Sequence, residues 1–233
     1  NINVTQTDID VNDNPQSPSY PALSYLSPSK AILPGQAGNP FGVPVLWLGR
    51  PLGSAFPSPN APREIEVDRL AMNFSGEYSN GFNWDLAYTD SSDSFYGRQP
   101  DTSTSRFSAA IAGNGGASGN LSWNLFDPSA NSQELIDYIS TAQQTWNSTD
   151  LRVLDYVVTG ELGGMNIAAG FQFRDESFTI KRGPESIAQF AADGSIAVPA
   201  DLLFLGGGLE SDASRSAKAL FVEASNQISD RLE

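Results

Sequence analysis

The residue types behind most enzyme chemistry are missing, because the 233 residues include no His and no Cys. Ser-His-Asp hydrolysis, zinc held by imidazole or thiolate, and disulfide frameworks are thereby excluded. What remains is oxygen chemistry. Its densest grouping is Asp8-Ile9-Asp10-Val11-Asn12-Asp13-Asn14, where Asp8, Asp10, Asn12 and Asp13 offer oxygens at short intervals. Ca²⁺, which takes about six to eight such ligands, suits that spacing; a solvated acidic loop is the plainer reading. Glu161 and Glu176 could serve as the carboxylate pair of a glycoside hydrolase, with water-facing charge as the simpler account. Trp47 and Arg50, in LWLGRP, could stack on and pair with a sugar or anion, or merely anchor their loop. Asp90 and Asp93, in TDSSDS, offer either an ion site or solubility, and solubility is preferred. No catalytic residue is assigned, and beyond possible Ca²⁺ no cofactor is expected.

These side chains depend on strands to position them. Over 165–178, Met165, Ile167, Ala169, Phe171 and Phe173 alternate with Asn166, Ala168, Gly170, Gln172, Arg174 and Glu176, the period of a two-faced strand. The preceding run, 150–162, sets Leu154, Tyr156, Val158 and Leu162 against Asp155, Thr159 and Glu161. Only Gly163-Gly164 separates the two runs, which predicts a two-residue hairpin turn. A second hairpin follows the same plan. Leu70, Met72, Phe74 and Tyr78 lead through Ser79-Asn80-Gly81 into Phe82, Trp84, Leu86 and Tyr88, opposite Arg69, Asn73, Ser75, Glu77, Asn83 and Asp85. A fifth strand is expected over 215–228, with Leu220, Val222, Ala224 and Ile228 on one side. Strands of about 12 to 14 residues are roughly twice the globular norm.

The connections are expected to be unequal. Residues 1–62 hold eleven of the fifteen prolines and read as one long, Pro-rich extracellular loop. The remainder, 63–233, reads as strands interrupted by loops at about 90–150 and 179–213. In the first of these loops a helix is predicted near 132–145, capped by Asn131 or Ser132 with Glu134 in its first turn. Two apolar runs there, 107–112 and 121–126, are expected to pair as a small hairpin. Short turns at one end and long loops at the other, with strands apolar on one side, is the pattern of an outer-membrane barrel. The polar side would then face a lumen, with Arg69, Asp85, Asp155, Glu161, Arg174 and Glu176 on it. A formal charge of −14, from 13 basic and 27 acidic residues, argues against nucleic acid as a partner. No apolar run reaches the length of a membrane-spanning helix, and a leader peptide, had there been one, is not visible. The expected fold class is all-β: about five long strands of a large antiparallel transmembrane barrel, with long extracellular loops and one short loop helix. Five strands leave open edges that hydrocarbon does not tolerate, so other strands must complete the wall.

Several stretches then acquire a common likeness: NPFGVPVLWLGRPLG, DRLAMNFSGEYSNGFNWDLAYT, GNLSWNLFDPSANSQELIDYIS, VLDYVVTGEL and ASRSAKALFVEASNQISDRLE. In that order they resemble an internal stretch of a TonB-dependent receptor, covering most of 39–233. The resemblance implies a non-enzymic outer-membrane β-barrel that imports a scarce nutrient such as a siderophore or oligosaccharide. It further implies TonB, the lipid membrane, and the rest of the barrel and its plug as partners. The chain shows no plug domain, no TonB-contacting box and no closing strand ending in an aromatic residue, and no family-defined functional residue carries over. A different class of reading rests on 8–14, whose Asp-X-Asn-Asp-Asn resembles the calcium linker of cadherins. It implies a secreted Ca²⁺-dependent adhesion or carbohydrate-binding β-sandwich, although seven sandwich strands and acidic partners from neighbouring repeats are not found.

Overall fold

The computed structural model describes residues 1–13, 24–25, 31–36, 39–53, 55–57 and 59–226. Its frame is one antiparallel sheet of six strands: β1 (Ile2–Val11), β4 (Arg63–Glu77), β5 (Asn83–Thr102), β6 (Ser140–Leu162), β7 (Met165–Arg182) and β10 (Ser211–Ser225). They lie side by side in chain order. Two two-stranded sheets lie within the connections, β2 (Ser24–Tyr25) with β3 (Leu48–Gly49) and β8 (Gln189–Phe190) with β9 (Ile196–Val198).

Both expected hairpins form. Gly163 and Gly164 have φ of 62° and 80°, the double positive φ of the tight turn that suits the twist of paired strands, and Leu162 pairs directly with Met165. At the other turn the N–H of Tyr78 donates to the Phe82 carbonyl at 2.7 Å, and Gly81 takes φ 83°. The expected fifth strand appears as β10, from Ser211 to Ser225, with Asn226 already outside the ladder; residues 227–228 of its predicted continuation and the polar end at 229–233 lie outside the described residues, as does Asn14.

Four expectations need correction. Residues 1–62 are not all loop, because β1 pairs with β4 over ten residues, from Ile2↔Met72 to Val11↔Arg63. Its alternation is masked in sequence by Gln6, Asp8 and Asp10, which continue the row begun by Ile2 and Val4. The loop expected to begin near 90 is strand as far as Thr102, and β6 already starts at Ser140, so strands extend deep into the 90–150 segment. Both faces of TDSSDS are polar, so neither period shows, but the ladder to β6 supplies the backbone hydrogen bonds. Finally, 107–112 does not pair as a hairpin strand. It belongs to helix α1 (Thr104–Ile111), whose Ser103 hydroxyl accepts from the Arg106 N–H at 3.2 Å. The other helix, α2 (Gln133–Ile139), starts where expected, with Ser132 Oγ accepting from the Leu135 N–H and Glu134 in the first turn, but it ends before the expected 145.

Connections alternate strictly. Residues 78–82 and 163–164 turn at one end of the sheet, whereas 12–62, 103–139 and 183–210 all cross at the other. The described parts of the three long connections pack on one another to form a cap. Its core joins Ile32, Val45, Trp47 and Leu52 from the first, Phe107, Ile111, Trp123, Leu125, Leu135 and Ile139 from the second, and Leu203 from the third. The buried apolar core therefore lies in the cap, while the sheet itself is mostly half-exposed on both sides.

Candidate functional site: a two-faced sheet under a cap

The register fixes which side chains share a face. On one side the rows run Ile2–Met72–Tyr88–Leu154–Phe173 and Phe74–Leu86–Tyr156–Phe171–Leu220, with Val4 and Leu70 above them and Trp84, Val158, Ala169 and Val222 below. These residues form a continuous apolar band across all six strands. On β7 it extends from Met165 to Phe173, eight steps of about 3.3 Å, or about 26 Å along the strand. Tilted by about 40°, that is about 20 Å of height, close to the apolar belt of an outer-membrane barrel. Tyrosine and tryptophan mark the rims. Tyr78 stands 6.4 Å from Trp84 between ring centroids and shares a 2.6 Å hydroxyl contact with Tyr156 at the turn end. At the cap end the Tyr88 hydroxyl donates to Asp90 at 2.9 Å, and Lys218 holds its Nζ 5.8 Å from the centre of the Phe173 ring. No other described element lies on the band, and Leu220 and Val222 are 86% and 78% exposed.

Above the band the same face turns polar. Asp8 stands opposite Glu66 and Asp10 opposite Glu64, like-charge pairs that cost stability when directly cross-strand. A groove of about 790 Å³ runs from these four carboxylates past Tyr96 and Trp146, whose rings stack at 5.1 Å, to Lys181. Asn12 and Asp13 directly follow β1, which ends at Val11, and are not part of the strand. Among the described residues, no group of three or more Asp or Glu is arranged so that it could hold a metal ion.

The opposite, mixed face carries all six residues expected to share a side: Arg69, Asp85, Asp155, Glu161, Arg174 and Glu176. Gln172 Nε2 donates to Asp155 Oδ1 at 2.7 Å. Glu176 sits between two guanidinium groups, paired with Arg174 on its own strand and Arg215 on β10. Sequence reasoning missed Arg215, the N-terminal residue of its expected fifth strand. The register that brings it opposite Glu176 is a long-range fact. Glu161 and Glu176 do not form a hydrolase pair. Glu176 pairs with Leu151 and Glu161 with Asn166, ten β6 positions apart, or about 33 Å, against at most about 9.5 Å for such carboxylates. Asp90 and Asp93 point to opposite faces, and Asp90 lies 3.5 Å from Arg152. Trp47 turns its ring edge-on to Phe107 at 5.4 Å inside the cap core, with Arg50 half-buried three residues on.

Two aspartates hold the cap, one to the sheet and one across two of its connections. Asp101, buried at the end of β5, accepts from the backbone N–H groups of Thr102, Phe204 and Leu205, the last at 2.7 Å. Asp201 accepts from the Ser103 hydroxyl at 2.5 Å and from the Ser105 N–H and hydroxyl, each at 2.7 Å, so it closes the start of α1 with a residue from the third connection. Burial alone would raise the Asp201 carboxyl, but these serine hydrogen bonds and nearby Arg106 together pull it below the usual carboxylate range. A depressed folded-state pKa contributes stability that is present above the unfolded value, about 4, and is lost as pH falls through the folded value. Asp201→Asn is therefore expected to lower cap stability near neutral pH by about 1 kcal/mol, the scale of a charged hydrogen bond discounted for partial exposure. It should also remove part of the loosening that acid causes in the parent chain, as followed by tryptophan fluorescence between pH 6 and 2. An unchanged acid transition in the variant would show that Asp201 does not link the connections.

The chain matches no protein family, no curated protein and no solved structure with which it was compared.

Proposed function

We propose that this chain is part of the wall of an outer-membrane transport barrel of the TonB-dependent receptor kind, importing a scarce nutrient past its mixed face. One observation carries the reading: an unbroken apolar band on one face of all six strands, rimmed by Tyr and Trp, with every long connection at the same end. A soluble sheet buries such a face against a second layer. Lipid is the other medium that accepts it, and a lipid-facing sheet must be closed. Such barrels start at about eight strands, so further strands, from the same protein or companion chains, pair with the edges of β1 and β10. The cap forms part of the mouth. In this role the chain is not an enzyme.

Solubility tests the proposal directly. The chain should aggregate in plain buffer and be monodisperse, with a β-sheet circular-dichroism spectrum, only in detergent micelles or with its companion strands. A folded, monodisperse chain in buffer without detergent or partner would overturn the reading and favour a soluble β-sandwich. A rise in melting temperature on adding Ca²⁺ would then point to the adhesion or carbohydrate-binding alternative.

A further inference from the structure

Charge on the mixed face is sorted along the strands. In the half nearer the turns stand Glu77, Asp85, Asp155, Glu161 and Glu223, with no Lys or Arg among the described residues of that face. In the half nearer the cap the order reverses. Arg63, Arg69, Arg174, Arg182 and Arg215 stand there against Asp93, Glu176 and the cap-bound Asp101. This reversal occurs in a chain with 27 acidic and 13 basic residues, so composition alone would set the opposite sign.

At the centre of the basic half, Arg69, Glu176 and Arg215 lie in one transverse row, linked through Ser91 and Leu151, and Arg174 is one step nearer the turns. Glu176 is the one carboxylate that both Arg174 and Arg215 pair with, so the cluster keeps net positive charge. Arg174 Nε is buried without a hydrogen-bond partner, a costly state for a charged donor. A cavity of about 510 Å³ opens over these groups, and its lining includes Arg174 and Arg215, the acidic Asp150 and Glu176, and the apolar Leu151 and Phe178. Guanidinium groups present planar, paired donors that match carboxylate and phosphate oxygens.

We infer that this cavity is a binding site for a small multivalent oxyanion, a carboxylate- or phosphate-bearing ligand. It enters from the cap side and is held by Arg174 and Arg215. The inference deepens the proposed function, since it names the ligand class for the face read there as the lumen wall. Glu176 competes with the ligand for the two guanidinium groups, and the acidic half below confines an anion to this level.

Titration calorimetry of the full chain with pyrophosphate and with citrate tests this, using glucose as the uncharged comparison. Both anions should bind and glucose should not, with affinity falling as salt rises. Arg174→Gln and Arg215→Gln should each weaken binding about tenfold, the scale of one charged hydrogen bond. Glu176→Gln should tighten it, because it releases both guanidinium groups. If the arginines only latch β7 to β10, Glu176→Gln will loosen β10 without tightening either anion, and the inference fails. It fails equally if neither anion binds, or if both bind the double Arg174→Gln/Arg215→Gln variant as well as the parent. A circular-dichroism spectrum for each variant separates lost binding from lost folding. The titration gives its answer with or without detergent, so failure of the membrane reading is distinguishable from failure of the anion site.

Discussion

Phe171→Arg is expected to abolish membrane assembly, whereas Gln172→Arg, one residue further along β7, should assemble like the parent. Phe171 lies within the apolar band, 5.5 Å from the Tyr156 ring, 5.2 Å from Phe173 and directly opposite Leu220 on β10. A guanidinium there would face hydrocarbon one row in from the cap-end rim, at a cost between the about 0–1 kcal/mol of the interface and the about 2–4 kcal/mol of the midplane, and would also lose the aromatic packing. Gln172 points to the other face, where its amide already donates to Asp155. Arginine at that position keeps a donor within reach of the same carboxylate and faces water. The measurement is the folded fraction after reconstitution into lipid vesicles, read by protease protection and heat-modifiable gel mobility. Equal losses in the two variants would mean that the two faces do not see different media, and the membrane reading would fail with them.

How far the fold was legible follows from which strands keep one period throughout. The hairpins around Gly163-Gly164 and Ser79-Asn80-Gly81 were readable because Phe171 and Phe173, or Leu86 and Tyr88, alternate with polar neighbours right up to turns that need positive φ. The same strands became unreadable above the band. From Asp90 to Ser94, and from Asp175 to Ser177, both faces meet water, so alternation carries no signal although the ladder continues. Edge strand β1 was lost for that reason too, with Gln6, Asp8 and Asp10 above Ile2 and Val4. The cap was the least legible part. Its core brings Ile32, Phe107, Trp123 and Leu203 together from three connections, and such packing leaves no local period. Of the mixed face, six charged residues could be assigned to a common side from sequence, but the clustering of Arg174, Glu176 and Arg215 needed the β7–β10 register.

The cap gives the second large effect. Trp123 is 1% exposed, stands edge-on to Phe107 at 5.9 Å, and its backbone N–H donates to the Ala110 carbonyl at 2.9 Å. Phe107 in turn meets Trp47, so one aromatic chain ties the first connection to the second. Trp123→Ala should cost the cap about 3–5 kcal/mol, from lost burial plus the cavity left behind. The indole Nε1 is buried without a hydrogen-bond partner, so part of what tryptophan gains by burial is offset by an unsatisfied donor. Trp123→Phe removes that donor while keeping most of the apolar volume, and should therefore cost much less than the alanine variant. Limited proteolysis distinguishes the consequences. In Trp123→Ala, cleavage should appear within 113–120 and 191–195 while the strand ladder, held by its own backbone hydrogen bonds, stays protected. Simultaneous cleavage in β5, β6 and β7 would show instead that cap and sheet unfold as one cooperative unit, and the cap could not then move independently of the wall.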